Sequence, residues 1–173
     1  MSPRTTGTRA RRGPAPAGKA ALRAELLAAL EAALDAAARA HGAAIEGATH
    51  AESRAENDKD TRALEQSYVA RGQARRVEEL RAAVAAVQAM APRAFGAGDP
   101  IAAGALVVAG EDGDERRFFV APDGGGTLLA GGAVQVVTPR SPLGRALCGK
   151  RAGDDVEVAI AGRTRALEIV RVE

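Results

Sequence analysis

The sequence predicts an α+β protein in which an N-terminal antiparallel two-helix coiled-coil hairpin precedes a C-terminal domain with a curved antiparallel sheet and one short helix. In the first half of the 173 residues, two alanine-rich stretches with helical spacing of apolar residues flank a polar segment. The second half consists of short β-branched runs separated by glycine-rich turns. The whole chain has one tyrosine, three phenylalanines and no tryptophan. Because aromatic side chains supply much of the apolar area of a large core, two differently built halves explain this composition better than one core.

The first helix is predicted from Lys19 to about Ile45, a segment rich in strong helix formers and without proline. Leucines recur every four residues and line one stripe of this helix: Leu22, Leu26, Leu30 and Leu34. The many alanines beside them allow close approach of another helix but bury little area themselves. The first helix therefore requires a partner.

The second helix, from about Thr61 to Met90, is the predicted partner. Its apolar residues follow a heptad-like seam that suits antiparallel coiled-coil packing: Leu64, Tyr68, Val77, Leu80, Val84 and Val87. Pro92 ends the helix, because proline lacks a backbone donor and disfavours the α conformation of the residue before it.

A polar segment from Gly47 to Asp60, with the sequence GATHAESRAENDKD, connects the two seams. Helices of about 30 residues, at ~1.5 Å per residue, would carry this tip roughly 45 Å from the rest of the protein. Four carboxylates crowd it: Glu52, Glu56, Asp58 and Asp60. They are either a solvated turn or oxygen ligands for a hard cation such as Mg²⁺, and the residue pattern alone leaves both interpretations open.

Six short runs after Pro92 predict the strands of the C-terminal domain: Ile101 to Val108, Arg116 to Val120, Thr127 to Ala130, Ala133 to Val137, Val156 to Ile160 and Ala166 to Val172. One interruption between them is helical in character. Ser141 suits an N-cap, Pro142 the first helical position and Gly149 the end of a short helix.

The first 18 residues predict a disordered basic tail, because their composition cannot bury enough apolar surface to fold alone. The cations near the N-terminus occur without any acid among them: Arg4, Arg9, Arg11, Arg12 and Lys19. The tail is either a solubilising extension or a weak contact for DNA, RNA or an acidic protein. The formal net charge of the whole chain is only +2.

Several classes of site are not predicted. The single cysteine, Cys148, excludes a disulfide framework and a cysteine-based zinc site, and His41 and His50 lack partners at ligand spacing. The three glycines that begin at Gly124 lack the Gly-Lys-Ser/Thr ending of a phosphate-binding loop and predict a β-turn. No Ser/His/Asp set or complete acid–base pair occurs, so any catalysis would complete another protein's site. Without a signal peptide or membrane span, the chain is expected to be cytoplasmic.

The segment VVTPRSPLGRALCGKRAGDDVEV, from Val136 to Val158, resembles the C-terminal domain of bacterial Gre transcription elongation factors. The family pattern Ser-Pro-x-Gly-x-Ala-Leu-x-Gly-Lys-x-x-Gly-Asp-x-Val is matched at every defined position from Ser141 to Val156. The other half of such factors is an antiparallel coiled coil with an acidic tip. The resemblance extends over roughly residues 20–173.

The resemblance implies a C-terminal domain with a fold like that of FK506-binding proteins, without implying isomerase activity. It also implies that this domain binds RNA polymerase at the rim of the secondary channel and that the hairpin enters the channel. Tip carboxylates of the family help to hold a second Mg²⁺, shared with the polymerase, which then hydrolyses the 3′ end of backtracked RNA. No cofactor is expected on the isolated protein.

At the tip, Glu56 and Asn57 match the Glu-Asn pair of the family, whereas Ser53 stands where the family has Asp. The resemblance therefore implies Glu56 as the ion ligand, with Glu52, Asp58 or Asp60 as a helper. Three functions follow as hypotheses: a stimulator of RNA cleavage, a Gre-like inhibitor or modulator without cleavage activity, and a coiled-coil adaptor unrelated to the polymerase active site.

We place the domain boundaries at residues 1–18 for the tail, 19–91 for the hairpin and 95–173 for the C-terminal domain. Because Pro92 marks a boundary where few contacts need cross, residues 95–173 are expected to fold alone and to hold much of the affinity for polymerase.

Overall fold

The computed structural model describes residues 18–52, 61–91, 93–96, 98–111, 113–160 and 162–173. Two long helices precede a six-stranded sheet that carries one short helix and a 3-10 turn at Ala130–Gly132. The helices are α1 (Lys19–Glu52), α2 (Thr61–Ala89) and α3 (Pro142–Leu147). The strands are β1 (Leu106–Glu111), β2 (Asp114–Val120), β3 (Leu128–Leu129), β4 (Val134–Val137), β5 (Asp155–Ile160) and β6 (Arg163–Val172).

These elements confirm the predicted α+β class, with a helical pair followed by a β-rich domain. The predicted basic tail lies outside the described residues except for Gly18. None of the described helices is long and apolar enough to cross a membrane.

Helix α1 is longer than predicted, because it continues through Gly47 to Glu52 for a total of 34 residues. An isolated glycine costs a helix about 1 kcal/mol relative to alanine, which is too little to end a helix that has no proline. Helix α2 begins at Thr61, as predicted, and ends at Ala89.

The half of the hairpin near the sheet, here called the hairpin base, packs through the predicted leucine stripe and the second half of the predicted seam. Leu22 and Leu26 are fully buried, and Leu30 is nearly so. The buried residues facing them on α2 are Val77, Leu80, Ala83, Val84 and Val87.

In the distal half of the hairpin, the prediction that Leu64 and Tyr68 extend the seam is wrong. Their side chains are 53% and 61% exposed. Beyond Leu34, α1 offers mainly alanine and glycine, and its one large aliphatic residue, Ile45, is itself 47% exposed. With no leucine opposite, Tyr68 instead lies against Arg71, whose guanidinium carbon is 5.2 Å from the ring centre.

The sheet has the strand order β3-β4-β2-β1-β6-β5. All neighbouring strands are antiparallel except β2 and β4, which are parallel, so the prediction of a wholly antiparallel sheet is wrong at this pair. The chain leaves β2, reverses into β3, and β3 pairs antiparallel with β4, so that β4 runs in the direction of β2. Strand β1 also begins later than predicted, at Leu106, because the residues before it form a turn in which Ala105 N–H donates to Ala102 O at 3.1 Å.

Both faces of the sheet are buried, and they are covered by different parts of the chain. On one face, Val107 and Phe118 join a core with Leu143 and Leu147 of the α3 segment. On the other face lies a second core, here called the shared core, because the sheet and the hairpin base both contribute to it. Its sheet residues are Leu106, Phe119, Ala121, Leu129, Val134 and Val136, and its helix residues are Leu22, Leu26, Leu30, Leu80, Ala83, Val84 and Val87.

The shared core crosses the boundary that the sequence predicts near Pro92, and whether residues 95–173 fold alone stays a prediction. The leucine stripe of α1 packs against both α2 and the sheet. A helical period predicts that these leucines are buried but does not indicate which elements bury them. The hairpin and the C-terminal domain therefore depend on one another for burial.

Polar contacts also hold the hairpin base in place where it meets the C-terminal domain, a junction here called the joint. Arg23 Nε donates to Val87 O at 3.0 Å, and its Nη2 donates to Gln88 O at 2.5 Å. These carbonyls belong to the last turn of α2, where a cation complements the negative end of the helix dipole. The carboxylate of Glu25 accepts from Ala130 N–H at 3.0 and 3.1 Å. Lys19 Nζ donates to Arg93 O at 2.5 Å, and burial lowers the pKa of Lys19.

The three-glycine segment has a structural role at this joint. Gly124 has φ of 79°, and a Cβ there would lie 2.7 Å from Leu26 Cδ1. Thr127 N–H donates to Gly124 O at 3.1 Å, which closes the predicted β-turn. Glycine therefore lets the turn approach α1, and no phosphate need be invoked to explain it.

Candidate functional site

The candidate tip connects the ends of α1 and α2 that lie away from the sheet. Helix α1 ends at Glu52 and α2 begins at Thr61, whereas the opposite ends of both helices pack in the shared core. At ~1.5 Å per residue, the 29 residues of α2 extend about 43 Å. Helix α1 thus ends, and helix α2 begins, far from the C-terminal domain. Residues 53–60, where the sequence predicts most of the acidic tip, lie outside the described residues.

Of the four predicted site residues, Glu52 is the last residue of α1. Glu56, Asp58 and Asp60 lie outside the described residues, as does Ser53. Among the residues that are described, no group of three or more His, Cys, Asp or Glu side chains could hold a metal ion. The donor chemistry of the tip does fit Mg²⁺, because all four predicted ligands offer carboxylate oxygens.

The Ser-Pro-x-Gly part of the matched sequence pattern forms the start of α3. Ser141 Oγ accepts from Gly144 N–H at 3.0 Å and donates to Thr138 O at 2.8 Å, which confirms the predicted N-cap. Pro142 occupies the first turn of the helix. A Cβ on Gly144 would lie 1.8 Å from Thr138 O, so only glycine fits there.

The rest of the pattern fixes the link from α3 to β5. Gly149 has φ of 84° and donates its N–H to Ile101 O at 2.9 Å, while Ile101 N–H donates to Lys150 O at 2.8 Å. Gly153 has φ of 89°, and Asp154 Oδ2 accepts from Arg151 N–H at 2.8 Å. The positive φ values explain the glycines at 149 and 153, and the side-chain bond explains Asp154. The pattern is therefore a strong indicator of this fold.

The cysteine within this helical segment is half-buried, and burial raises the pKa of the Cys148 thiol. A raised pKa keeps the thiol protonated, which supports the interpretation of an unreactive packing residue.

An ion-pair cluster in the sheet escaped sequence analysis. Arg165 donates to both carboxylate oxygens of Glu111, with Nη2 2.5 Å from Oε2, and Arg116 Nε lies 3.2 Å from the same Oε2. The hydrogen bonds from Arg165 lower the pKa of Glu111. Only the pairing of strands β1, β2 and β6 brings these residues together, and no local signal in the sequence indicates it.

We expect Gly144→Ala to destabilise the protein by about 3 kcal/mol, because the added methyl group overlaps a backbone carbonyl that the Ser141 cap holds in place. Thermal unfolding of the full chain measures the effect. The matched control is Gly72→Ala in α2, where nothing lies within 4 Å of the added Cβ. That substitution should stabilise the helix by up to about 1 kcal/mol. Equal unfolding midpoints for the two variants would contradict the packing argument.

Comparison with known protein families bears directly on this domain. Residues 101–173 match the family model described as transcription elongation factor, GreA/GreB, C-terminal. The C-terminal domain belongs to the GreA/GreB family. This agrees with the match of Ser141 to Val156 to the family pattern.

Three solved structures of Gre-type factors align with this chain at low sequence identity. The GreA factor homolog 1 (Gfh1) protein of Thermus thermophilus has 16% identity and a TM-score of 0.38, covering 85% of this chain and 94% of that one. Gfh1 of Thermus aquaticus has 18% identity and a TM-score of 0.39, with coverages of 89% and 95%. A GreA/GreB elongation factor from Nitrosomonas europaea has 20% identity and a TM-score of 0.36, with coverages of 56% and 77%. No curated protein sequence matches this chain.

Proposed function

We propose that this Gre-type protein binds RNA polymerase at the rim of its secondary channel and stimulates cleavage of backtracked RNA through the carboxylates of its tip. The observation that carries the proposal is the shared core, through which the hairpin base packs against the Gre-type domain. A hairpin base held in this way supports the proposal, because it fixes the direction in which the two helices leave the domain.

Two features of the joint oppose rotation of the hairpin relative to the C-terminal domain. Leu22, Leu26 and Phe119 are buried to within 1% exposure, so rotation of the hairpin would uncover apolar surface. Arg23 and Glu25 add hydrogen bonds that tie α1 to α2 and to the sheet. Binding of the domain would therefore orient the hairpin base, from which α2 extends about 43 Å.

The tip residues would then act within the active centre of the polymerase. Glu56 is the proposed ligand of a shared Mg²⁺, with Glu52, Asp58 or Asp60 as a second oxygen ligand. The ion, when bound, would help to position and activate the water that cleaves the RNA chain near its 3′ end. The protein contributes carboxylates only, and the remaining groups belong to the polymerase.

An inhibitor or modulator of polymerase is the second candidate, and Ser53 favours it. A hydroxyl is a weaker ligand for Mg²⁺ than the carboxylate that the family has at this position. If no nearby acid replaces that ligand, the hairpin would occupy the channel without supporting cleavage. Contact of the tail with DNA or RNA, and the adaptor hypothesis, stay predictions.

The test has two measurements on the full chain. We expect the protein to co-purify with core RNA polymerase and to increase the release of short 3′ fragments from a stalled, backtracked complex. Binding without fragment release would favour the inhibitor. If the protein does not bind RNA polymerase, the proposal is overturned and the adaptor hypothesis remains.

A further inference from the structure

Part of the sheet face that carries the shared core is not covered by the hairpin. The hairpin base packs over residues of β1, β2, β3 and β4, and the face continues over β6 and β5. There the outward residues of both strands are exposed, including Val170 at 47%. The others are Asp155, Glu157 and Ala159 of β5 and Thr164, Ala166 and Glu168 of β6.

A row of acids crosses this uncovered face. Glu115 of β2 is paired with Gly110 of β1, Gly110 with Glu168 of β6, and Glu168 with Asp155 of β5. Glu157 follows two residues further along β5. Within the described part of the chain, no salt bridge involves any of these four carboxylates. Because like charges directly opposite on neighbouring strands are destabilising, the Asp155–Glu168 pair costs the folded protein stability unless a cation covers it.

Gly110 leaves a gap in the middle of this row. A Cβ there would have only Val170 Cγ2 and Glu168 O near it, at 3.9 and 4.0 Å, so the space above the glycine is open. With strands ~4.8 Å apart, the strands carrying Glu115 and Glu168 are about 10 Å apart on either side of the gap. An arginine side chain lying over Gly110 would have a carboxylate on each side and the apolar surface of Val170 beneath its stem.

Cations border the row on the side nearer the hairpin but do not neutralise it. Arg117 and Arg171 both pair with Val108, two residues before Gly110. Arg171 is committed to an ion pair with Glu173. The uncovered face thus has a defined acidic half, formed by Glu115, Glu168, Asp155 and Glu157, which we call the acidic face.

We propose that residues 1–17 of this chain bind the acidic face, with arginines of the segment placed over Gly110 and beside the Asp155–Glu168 pair. The segment contains four arginines and no acid: Arg4, Arg9, Arg11 and Arg12. Arginine fits this face because its planar guanidinium can donate two parallel hydrogen bonds to a carboxylate. The charges of the segment and the face are opposite.

The reach of the segment agrees with this placement. Gly18 lies beside Gly104 and Phe119 around one cavity at the joint, and β1 runs from Leu106 towards Gly110. The span from Leu106 to Gly110 is about 14 Å at ~3.4 Å per residue. A chain spans at most ~3.3–3.6 Å per residue, so Arg12 lies within about 20 Å of Gly18, and Arg11 and Arg9 reach further.

Exposed ion pairs are individually weak, so the bound state depends on several of them together. Three such pairs would favour it by about tenfold. Because exposed charges are screened when the Debye length falls to ~3 Å at 1 M salt, the segment should leave the face at high ionic strength. A polyanion would compete for the same arginines.

The test uses the full chain with a spin label at Thr6→Cys in a Cys148→Ala background. We expect the label to broaden the amide signals of Gly110 and Glu168 at low salt, and the broadening to disappear at 1 M salt. It should also disappear in the triple variant Glu115→Gln, Asp155→Asn and Glu168→Gln. The matched control is Glu31→Gln, Asp35→Asn and Glu46→Gln, which should leave the broadening unchanged. These are three exposed acids of α1 that form no ion pair with another described residue.

A second measurement keeps the result independent of the fold of the triple variant. Replacing Arg9, Arg11 and Arg12 by glutamine leaves the sheet intact and should abolish the same broadening. Loss of broadening with either set of changes, in variants whose sheet remains folded, supports the proposal. Broadening that persists in the triple variant, that spreads evenly over the domain, or that is absent from the starting protein would overturn it.

Discussion

Leu26→Asp is expected to unfold the C-terminal domain together with the hairpin, although the substitution lies in the first helix. Leu26 is fully buried in the shared core and lies against Gly124 of the sheet domain. Removal of a buried leucine side chain costs about 2–5 kcal/mol, and a buried carboxylate without a partner adds a further penalty. Since native proteins are stable by only about 5–15 kcal/mol, this loss approaches the whole free energy of unfolding.

Urea unfolding followed at both helix and sheet signals measures the effect. The matched control is Leu64→Asp, the same change in the same hairpin at a side chain that is half exposed. The control should shift the free energy of unfolding by no more than about 0.5 kcal/mol. A Leu26→Asp protein whose sheet unfolds at the natural urea concentration would contradict the shared core.

The isolated fragment 95–173 tests whether the C-terminal domain depends on the hairpin base for its stability. Without the hairpin base it would expose one face of its sheet, with Leu106, Phe119, Leu129, Val134 and Val136. We therefore expect the fragment to aggregate or unfold, contrary to what the position of Pro92 suggested. A soluble, monomeric fragment as stable as the full chain would show that the hairpin adds little to the domain.

Glu56→Ala is expected to reduce stimulated RNA cleavage by about 100-fold, equivalent to about 3 kcal/mol, if this protein is a cleavage factor. The carboxylate would be an ion ligand in the completed active site, so binding to polymerase should stay within about twofold of the natural value. Ser53→Asp would restore the family spacing of Asp and Glu and should raise cleavage in a manner that depends on Mg²⁺ concentration. The measurement is release of short 3′ fragments from a backtracked complex, alongside a binding assay.

Glu31→Ala serves as the control, because it removes an exposed glutamate of α1 that lies away from the tip. Unchanged cleavage by Glu56→Ala would transfer the ligand role to another acid, with Asp58 or Asp60 next. If the natural protein and the Ser53→Asp variant both bind polymerase but neither supports cleavage, the inhibitor hypothesis is correct.

Local patterns predicted much of the architecture. The helix starts at Lys19 and Thr61, the Ser141 cap and most strand positions follow from periodicity, capping residues and turn glycines, which act over a few residues. The parallel pairing of β2 and β4 and the Glu111–Arg165 contact could not be predicted, because they depend on which distant strands become neighbours.

The shared core was missed for a related reason. A helical stripe indicates that Leu22, Leu26 and Leu30 are buried, but the stripe does not say how many elements bury it. The period of α2 predicts a buried Leu64, because a helical period carries no information about the alanines opposite it. At the tip, the sequence predicts the residue types and the location, while the geometry of Glu56, Asp58 and Asp60 lies outside the described residues.

The uneven burial along the hairpin has a consequence for its local stability. Near the sheet, amide hydrogens of α1 and α2 exchange with solvent only when the shared core opens, which requires nearly the full free energy of global unfolding. In the distal half, where Ile45, Leu64 and Tyr68 are largely exposed, few apolar contacts oppose separation of the helices. Opening of the hairpin therefore begins at its far end and propagates towards a base that remains closed, so the helix segments that flank the tip can adapt to a binding site while their anchor stays fixed.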